Sequence, residues 1–121
     1  MSGSSSSFRR RIESICAPLP GAEVSDPWGM EHEVWKVGGK IFACAGVSRP
    51  GVTVKTRDTE TASMLVEAGI GARAPYFHKS WILLPEDVAD EELRHRLLTS
   101  YDLVRAGLTR KVRTTLPARK D

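Results

Sequence analysis

Hydrophobic and polar positions divide the chain into helix-period and strand-period stretches. Phe8, Ile12, Ile15 and Cys16 recur at three- and four-residue steps, the spacing of one helix face. Pro18 and Pro20 stop that helix and Gly21 turns the chain. "AEVSDPWG", residues 22–29, reads as a short extended segment, with Pro27 marking an edge or a bend. In "EVWKVGGKIFACAG", residues 33–46, two runs rich in Val, Trp, Ile and Phe flank Gly38-Gly39. That is a strong two-residue hairpin signal, because the primed turns need positive φ. "SRPG", residues 48–51, connects to a third strand, "VTVKT". "RDTETASMLVEAG", residues 57–69, predicts a helix with Asp58 or Thr59 as N-cap, an apolar face of Ala62, Leu65 and Val66, and Gly69 as its stop. A loop and a final strand over about 80–84 follow. A last helix from about Ala89 to Ala106 carries a stripe of Leu93, Leu97, Leu98, Tyr101 and Val104, with Asp90 as candidate N-cap.

The order is α, a three-strand meander, α, β, α. It predicts an α+β fold: a single antiparallel sheet, a meander plus a later strand, with helices packed on one face. A chain of 121 residues suits one domain able to bury its own core. The expected division is a disordered Ser-rich segment over 1–7, one domain over 8–108, and a basic mobile tail over 109–121.

Register sorts the hairpin side chains. In a two-residue hairpin Val37 pairs with Lys40, Lys36 with Ile41 and Trp35 with Phe42. One face then carries Val34, Lys36, Ile41, Ala43 and Ala45. If "SRPG" is a four-residue loop, Val47 pairs with Val52, and Val52 and Val54 join that face. Small, branched and apolar, it is the expected helix-covered side, with Lys36 snorkelling at its rim. The other face carries Glu33, Trp35, Val37, Lys40, Phe42, Cys44, Thr53 and Lys55, the mixture expected of an open sheet face.

Charge changes this picture because it is unevenly distributed. The net charge is only +3. Yet residues 36–57 hold Lys36, Lys40, Arg49, Lys55 and Arg57 and no acid, between two acid-rich segments, and the last residues are basic again. Anion binding should therefore be local. Lys40 and Lys55 beside Trp35 and Phe42, with Arg49 and Arg57 in the loops, suit nucleic acid: lysines neutralise phosphates and rings stack on bases. The plainer reading makes Trp35 and Phe42 a cross-strand packing pair and the charges solvated.

Other chemistry is sparse. Cys16 and Cys44 have no metal-binding or redox spacing and read as reduced thiols. His32, His78 and His95 are scattered, and no Walker, GxSxG or dinucleotide motif occurs. Ser80 beside His78 reads as sequence adjacency. Trp28 and Trp81 read as packing anchors. No catalytic constellation, cofactor or metal site is expected. No apolar run has the length of a membrane span and no apolar stretch follows the N-terminal arginines, so the cytoplasm is the expected compartment.

The blocks "LPGAEVSDPWG", "HEVWKVGGKIFACAG", "VTVKT", "YFHKSWILL" and "SYDLVRAGL", in this order and spacing, resemble the MmcQ/YjbR-like family over about residues 9–108. The matching positions include the Pro27-Trp28-Gly29 turn, Gly38-Gly39, His78-Lys79-x-Trp81 and Ser100-Tyr101-Asp102-Leu103. The resemblance implies a frataxin-like α+β domain, often described as a double-wing DNA-binding fold. Frataxins hold iron on an acidic helix edge, but the first helix here has Glu13 as its only acid. The acidic run "EDVADEE", residues 86–92, reads as complementing a helix N-terminus. The leading expectation is a DNA-binding module without catalytic activity. It would contact duplex phosphates through Lys36, Lys40, Arg49, Lys55, Arg57 and Lys79, helped by the tail. The alternative is a protein-interaction or small-ligand module using the Trp35/Phe42 face.

Overall fold

The computed structural model describes residues 3–26, 32–46 and 50–119, with side chains described from Ser7 onward. The Pro27-Trp28-Gly29 turn, Val47 and Arg49 lie outside these residues. The elements, in chain order, are α1 (Gly3–Cys16), β1 (Ala22–Ser25), β2 (Glu33–Val37), β3 (Lys40–Ala45), β4 (Val52–Lys55), α2 (Thr59–Glu67), β5 (Ala72–Arg73), β6 (Trp81–Leu84), α3 (Asp90–Ala106) and α4 (Arg110–Arg113). The strands form one antiparallel sheet in the order β1-β2-β3-β4-β6-β5. The α+β class and the single antiparallel sheet are those expected.

The core joins one sheet face to the helices. Phe8, Ile12 and Cys16 of α1, and Leu93, Leu97, Tyr101 and Val104 of α3, are buried with Val52, Val54, Ile82 and Leu84 of the sheet. Arg11 ties α1 to the segment before α3. It donates to Val88 O and Glu86 O, and pairs with Asp90 at 2.8 Å. Asp90 is thus the first residue of α3 and not its cap; Ala89 holds the cap position without a side-chain bond. In α2, Asp58 is the cap: its carboxylate accepts from Thr61 N at 2.8 Å.

The expected hairpin register holds at the turn and breaks beyond it. Val37 pairs with Lys40 and Lys36 with Ile41, but Trp35 pairs with Ala43 and not with Phe42. Phe42 is the extra residue of a β-bulge. A bulge shifts one strand against its partner by one residue, which reverses the faces on one side of it. Trp35, Val37, Phe42, Ala43 and Ala45 therefore all join the helix-covered core, and Trp35 is 3% and Phe42 0% exposed. The expected open aromatic face is corrected: Phe42 stands edge-on to Tyr101 of α3, with centroids 5.3 Å apart. Ala45, not Val47, pairs with Val52. That shift is two residues, so Val52 and Val54 keep their expected core-facing side.

The bulge leaves backbone groups of β3 and β4 outside the ladder. Ser100 of α3, 0% exposed, serves both. Its hydroxyl accepts from Lys55 N at 2.9 Å and donates to Phe42 O at 2.5 Å. A buried hydroxyl with both roles filled is the economical answer to two orphaned backbone groups.

Helix extends into both flanking segments. α1 begins at Gly3, inside the segment expected to be disordered. The expected mobile tail instead forms α4 and folds back. Val112 and Leu116 pack on the core, Arg105 donates to Leu116 O at 3.0 Å, and Arg119 grips Asp102 through two bonds of 2.9 and 2.7 Å. Leu108, Val112 and Leu116 recur at four-residue steps, a helical spacing too brief among the bases to mark an element by itself.

Candidate nucleic-acid interface

Of the six cationic residues singled out, Lys40 and Lys55 come together on one groove. Its volume is about 640 Å³, and its walls include Ile41, Tyr76, Phe77, His78, Trp81 and Leu103. No carboxylate is among the residues that line it. Lys55 is placed there by cross-strand pairing with Trp81, its Nζ 5.7 Å from the Trp81 ring centroid. Phe77 packs on the same ring, centroids 5.0 Å apart at 40°. Lys79 lines a neighbouring groove of about 420 Å³, which shares the Phe77, His78 and Trp81 wall. The other basic residues are placed elsewhere. Lys36 pairs across the sheet with Glu23, close enough for mutual compensation. Arg57 stands 3.7 Å from Asp58 in an exposed contact. Arg49 lies outside the described residues.

The loop between β5 and β6 supplies the rings. Ala74 O accepts from Phe77 N at 3.3 Å, closing a four-residue turn with Pro75 in its second position. Tyr76, in the third, has φ +72° and is 100% exposed. Proline fixes negative φ before it, so this is a type II turn, whose third position favours Gly. A tyrosine there costs about 1–2 kcal/mol, and no burial of its ring offsets that. The sequence pattern held only a weak signal for it, a Pro-aromatic pair between strands.

The far end of the loop is fixed from below. Buried Thr56 donates to Ser80 O from its backbone at 2.8 Å and from its hydroxyl at 2.6 Å. Ser80 N donates to His78 Nδ1 at 3.1 Å, and the Ser80 hydroxyl is 2.9 Å from that nitrogen. A backbone N–H only donates, so Nδ1 accepts and we assign the ring proton to Nε2. His78 and Ser80 are therefore bonded as well as adjacent. Ser80 is buried, which makes this a loop clamp and not a nucleophile presented to substrate.

The Gly38-Gly39 tip is exposed, with one side against the C-terminal segment. Both glycines have positive φ, as a type I′ turn requires. At Gly38 an added Cβ would lie 2.6 Å from Leu108 and 3.1 Å from Val112. The missing side chain is what lets Leu108 and Val112 approach the backbone at Gly38, while Gly39 stays clear of them. In that segment Arg105, Arg113 and Arg119 bond to chain partners, while Arg110 and Lys111 are exposed.

Neither thiol is activated. Burial, aided by the nearby Glu33 charge, pushes Cys16 far above the usual thiol range, and burial also raises Cys44. Among the described residues no group of three or more His, Cys, Asp or Glu side chains is arranged to hold a metal, and no helix is long and apolar enough to cross a membrane.

The sequence profile of the YjbR family matches residues 17–103. The chain belongs to the YjbR family. It is 27% identical over 110 residues to the "Uncharacterized protein YbdF" of Escherichia coli O157:H7, covering 87% of this chain and 90% of that protein. It is also similar to the crystal structure of Deinococcus radiodurans protein DR2400, a DUF419 domain. There the TM-score is 0.76 at 27% identity, over 86% of this chain and 83% of the other. The YjbR match spans Lys40, Lys55, Tyr76, Phe77, Trp81 and Leu103 of the groove, and it ends before α4. Within it, the Ser100-Tyr101-Asp102 block has three separate duties: closing the bulge, donating from the Tyr101 hydroxyl to Pro20 O at 2.5 Å, and clamping Arg119.

Proposed function

We propose that this YjbR-family protein is a DNA-binding module that grips the phosphate backbone through Lys40 and Lys55, with Lys79 alongside. The observation that carries this reading is the groove, in which two lysines and three aromatic rings meet with no carboxylate among the lining residues. Ammonium groups neutralise phosphates and release counterions. One wall of this groove is the exposed end of the hairpin, Gly39 and Lys40, while Gly38 packs beside Leu108 and Val112.

Fluorescence anisotropy with labelled oligonucleotides at rising salt tests it. Three neutralised phosphates give a log–log slope of about −3 on duplex and about −2 on single strands. The double variant Lys40→Glu/Lys55→Glu should lose at least about tenfold in affinity at low salt, two of three contacts being reversed in sign. Absence of binding by the unmodified protein at low salt overturns the proposal. A small organic ligand is the second reading, favoured by the groove's volume, which falls in the range of small-molecule sites.

A further inference from the structure

Resting on that reading, we propose that the groove is a stacking site for an unpaired base, with Tyr76 as its platform, so that single-stranded DNA is the preferred ligand. Three observations converge. Tyr76 is held in a backbone conformation that suits glycine, and its ring is fully exposed. Strain kept at an exposed aromatic has no structural return, and such residues cluster at ligand contacts. Beside it, Phe77 and Trp81 already form a ring wall, and Lys55 stands over the Trp81 face. Lys40 and Lys55 then supply phosphate contacts at the same groove. His78 adds a donor to the wall, because Ser80 occupies its Nδ1 and leaves Nε2–H for a base edge or phosphate. This combination, rings interleaved with cations along a groove, is what unpaired bases require. A paired base keeps both faces within the duplex stack and offers Tyr76 none.

The alternative meaning of Tyr76, a structural one, makes the opposite prediction for its removal. Tyr76→Gly relieves the turn, so a site kept for binding loses affinity while the fold gains stability. The test is anisotropy with single-stranded and duplex oligonucleotides of equal length, on the unmodified protein, Tyr76→Gly and Tyr76→Phe, with thermal melts of each. Expected are single strands bound about tenfold more tightly than duplex and a loss of about fivefold or more for single strands in Tyr76→Gly. That variant should also melt at an equal or higher temperature, and Tyr76→Phe should retain affinity. Equal or tighter duplex binding, with Tyr76→Gly unchanged, overturns the stacking site and leaves the DNA-binding reading standing. Failure of the unmodified protein to bind either strand overturns both.

Discussion

Single side chains settle several local conflicts in this molecule. Ser100 is the clearest. Its hydroxyl bonds both Lys55 N and Phe42 O where the ladder is interrupted. Ser100→Ala leaves two buried backbone groups unpaired, at about 2–4 kcal/mol. Equilibrium urea denaturation reads this directly, and a loss under about 1 kcal/mol would contradict the assigned role. Gly38 and Gly39 form a second pair of cases. Alanine at either pays for positive φ, about 1 kcal/mol. At Gly38 it must also displace Leu108, whereas nothing lies near a Cβ at Gly39. Gly38→Ala should therefore destabilise clearly more than Gly39→Ala, and equal losses would place the whole cost in the turn. Asp58 has a pH signature. The backbone bond from Thr61 holds its carboxyl below the usual carboxylate range, with Arg57 adding to the effect. A folded value below the unfolded one stabilises above the unfolded pKa and is lost as pH falls through the folded pKa. Asp58→Asn keeps an acceptor without that titration. The melting temperature of the variant should thus fall less steeply on acidification than that of the unmodified protein.

At the level of elements, two features separate the chain from what its pattern implies. The first is the bulge at Phe42. α1, α2, α3, the strand order of the meander and the core faces of β4 follow from periodicity, and the hairpin turn from its Gly38-Gly39 pair. The bulge does not, because Ile41, Phe42 and Ala43 alternate as acceptably without it. The contacts that accompany it, Phe42 against Tyr101 and Ser100 on Phe42 O and Lys55 N, join residues far apart in sequence. One inserted residue then carried Trp35 and Phe42 from the expected open face into the core. The second feature is the strap formed by α4 and the residues after it. Its Val112 and Leu116 continue a four-residue spacing from Leu108 that is too short to stand out among the bases, and the Arg119–Asp102 clamp again joins distant positions. Truncation after Thr109 removes this cover. It should lower stability by about 2–3 kcal/mol through the lost apolar burial and speed amide hydrogen exchange at Val37–Lys40. Single-strand binding should stay within a few-fold, since the groove lies before the cut. Loss of binding on truncation would assign the DNA contact to the tail.

Across the whole molecule, alternating blocks of charge are redistributed by folding. Much of the cationic content is spent internally: Arg11 on the α3 entry, Arg96 on Glu92, and Arg105, Arg113 and Arg119 on the strap. Lys40 and Lys55 remain at the groove, where no carboxylate is among the lining residues. Those two lysines were legible in the sequence, since both lie on well-marked strands. Their aromatic partners were not. Trp35 and Phe42 stood next to them in the pattern but fold inward, and the rings that replace them come from the β5–β6 loop, Tyr76 and Phe77, and from Trp81 at the start of β6. Nothing in alternation or helical periodicity places a loop, and the positive φ of Tyr76 is invisible in residue type. The central claim is that this groove, with the Gly39-Lys40 side of the hairpin as one wall, receives nucleic acid and that the tail does not. Amide and indole chemical-shift mapping during titration with a short single-stranded oligonucleotide tests it most directly. The largest changes should fall on Lys40, Lys55, Tyr76, Phe77 and the Trp81 indole, with Gly38, Val112 and Leu116 little affected. Changes centred on the strap or on β1, or none at saturating oligonucleotide, would contradict the account.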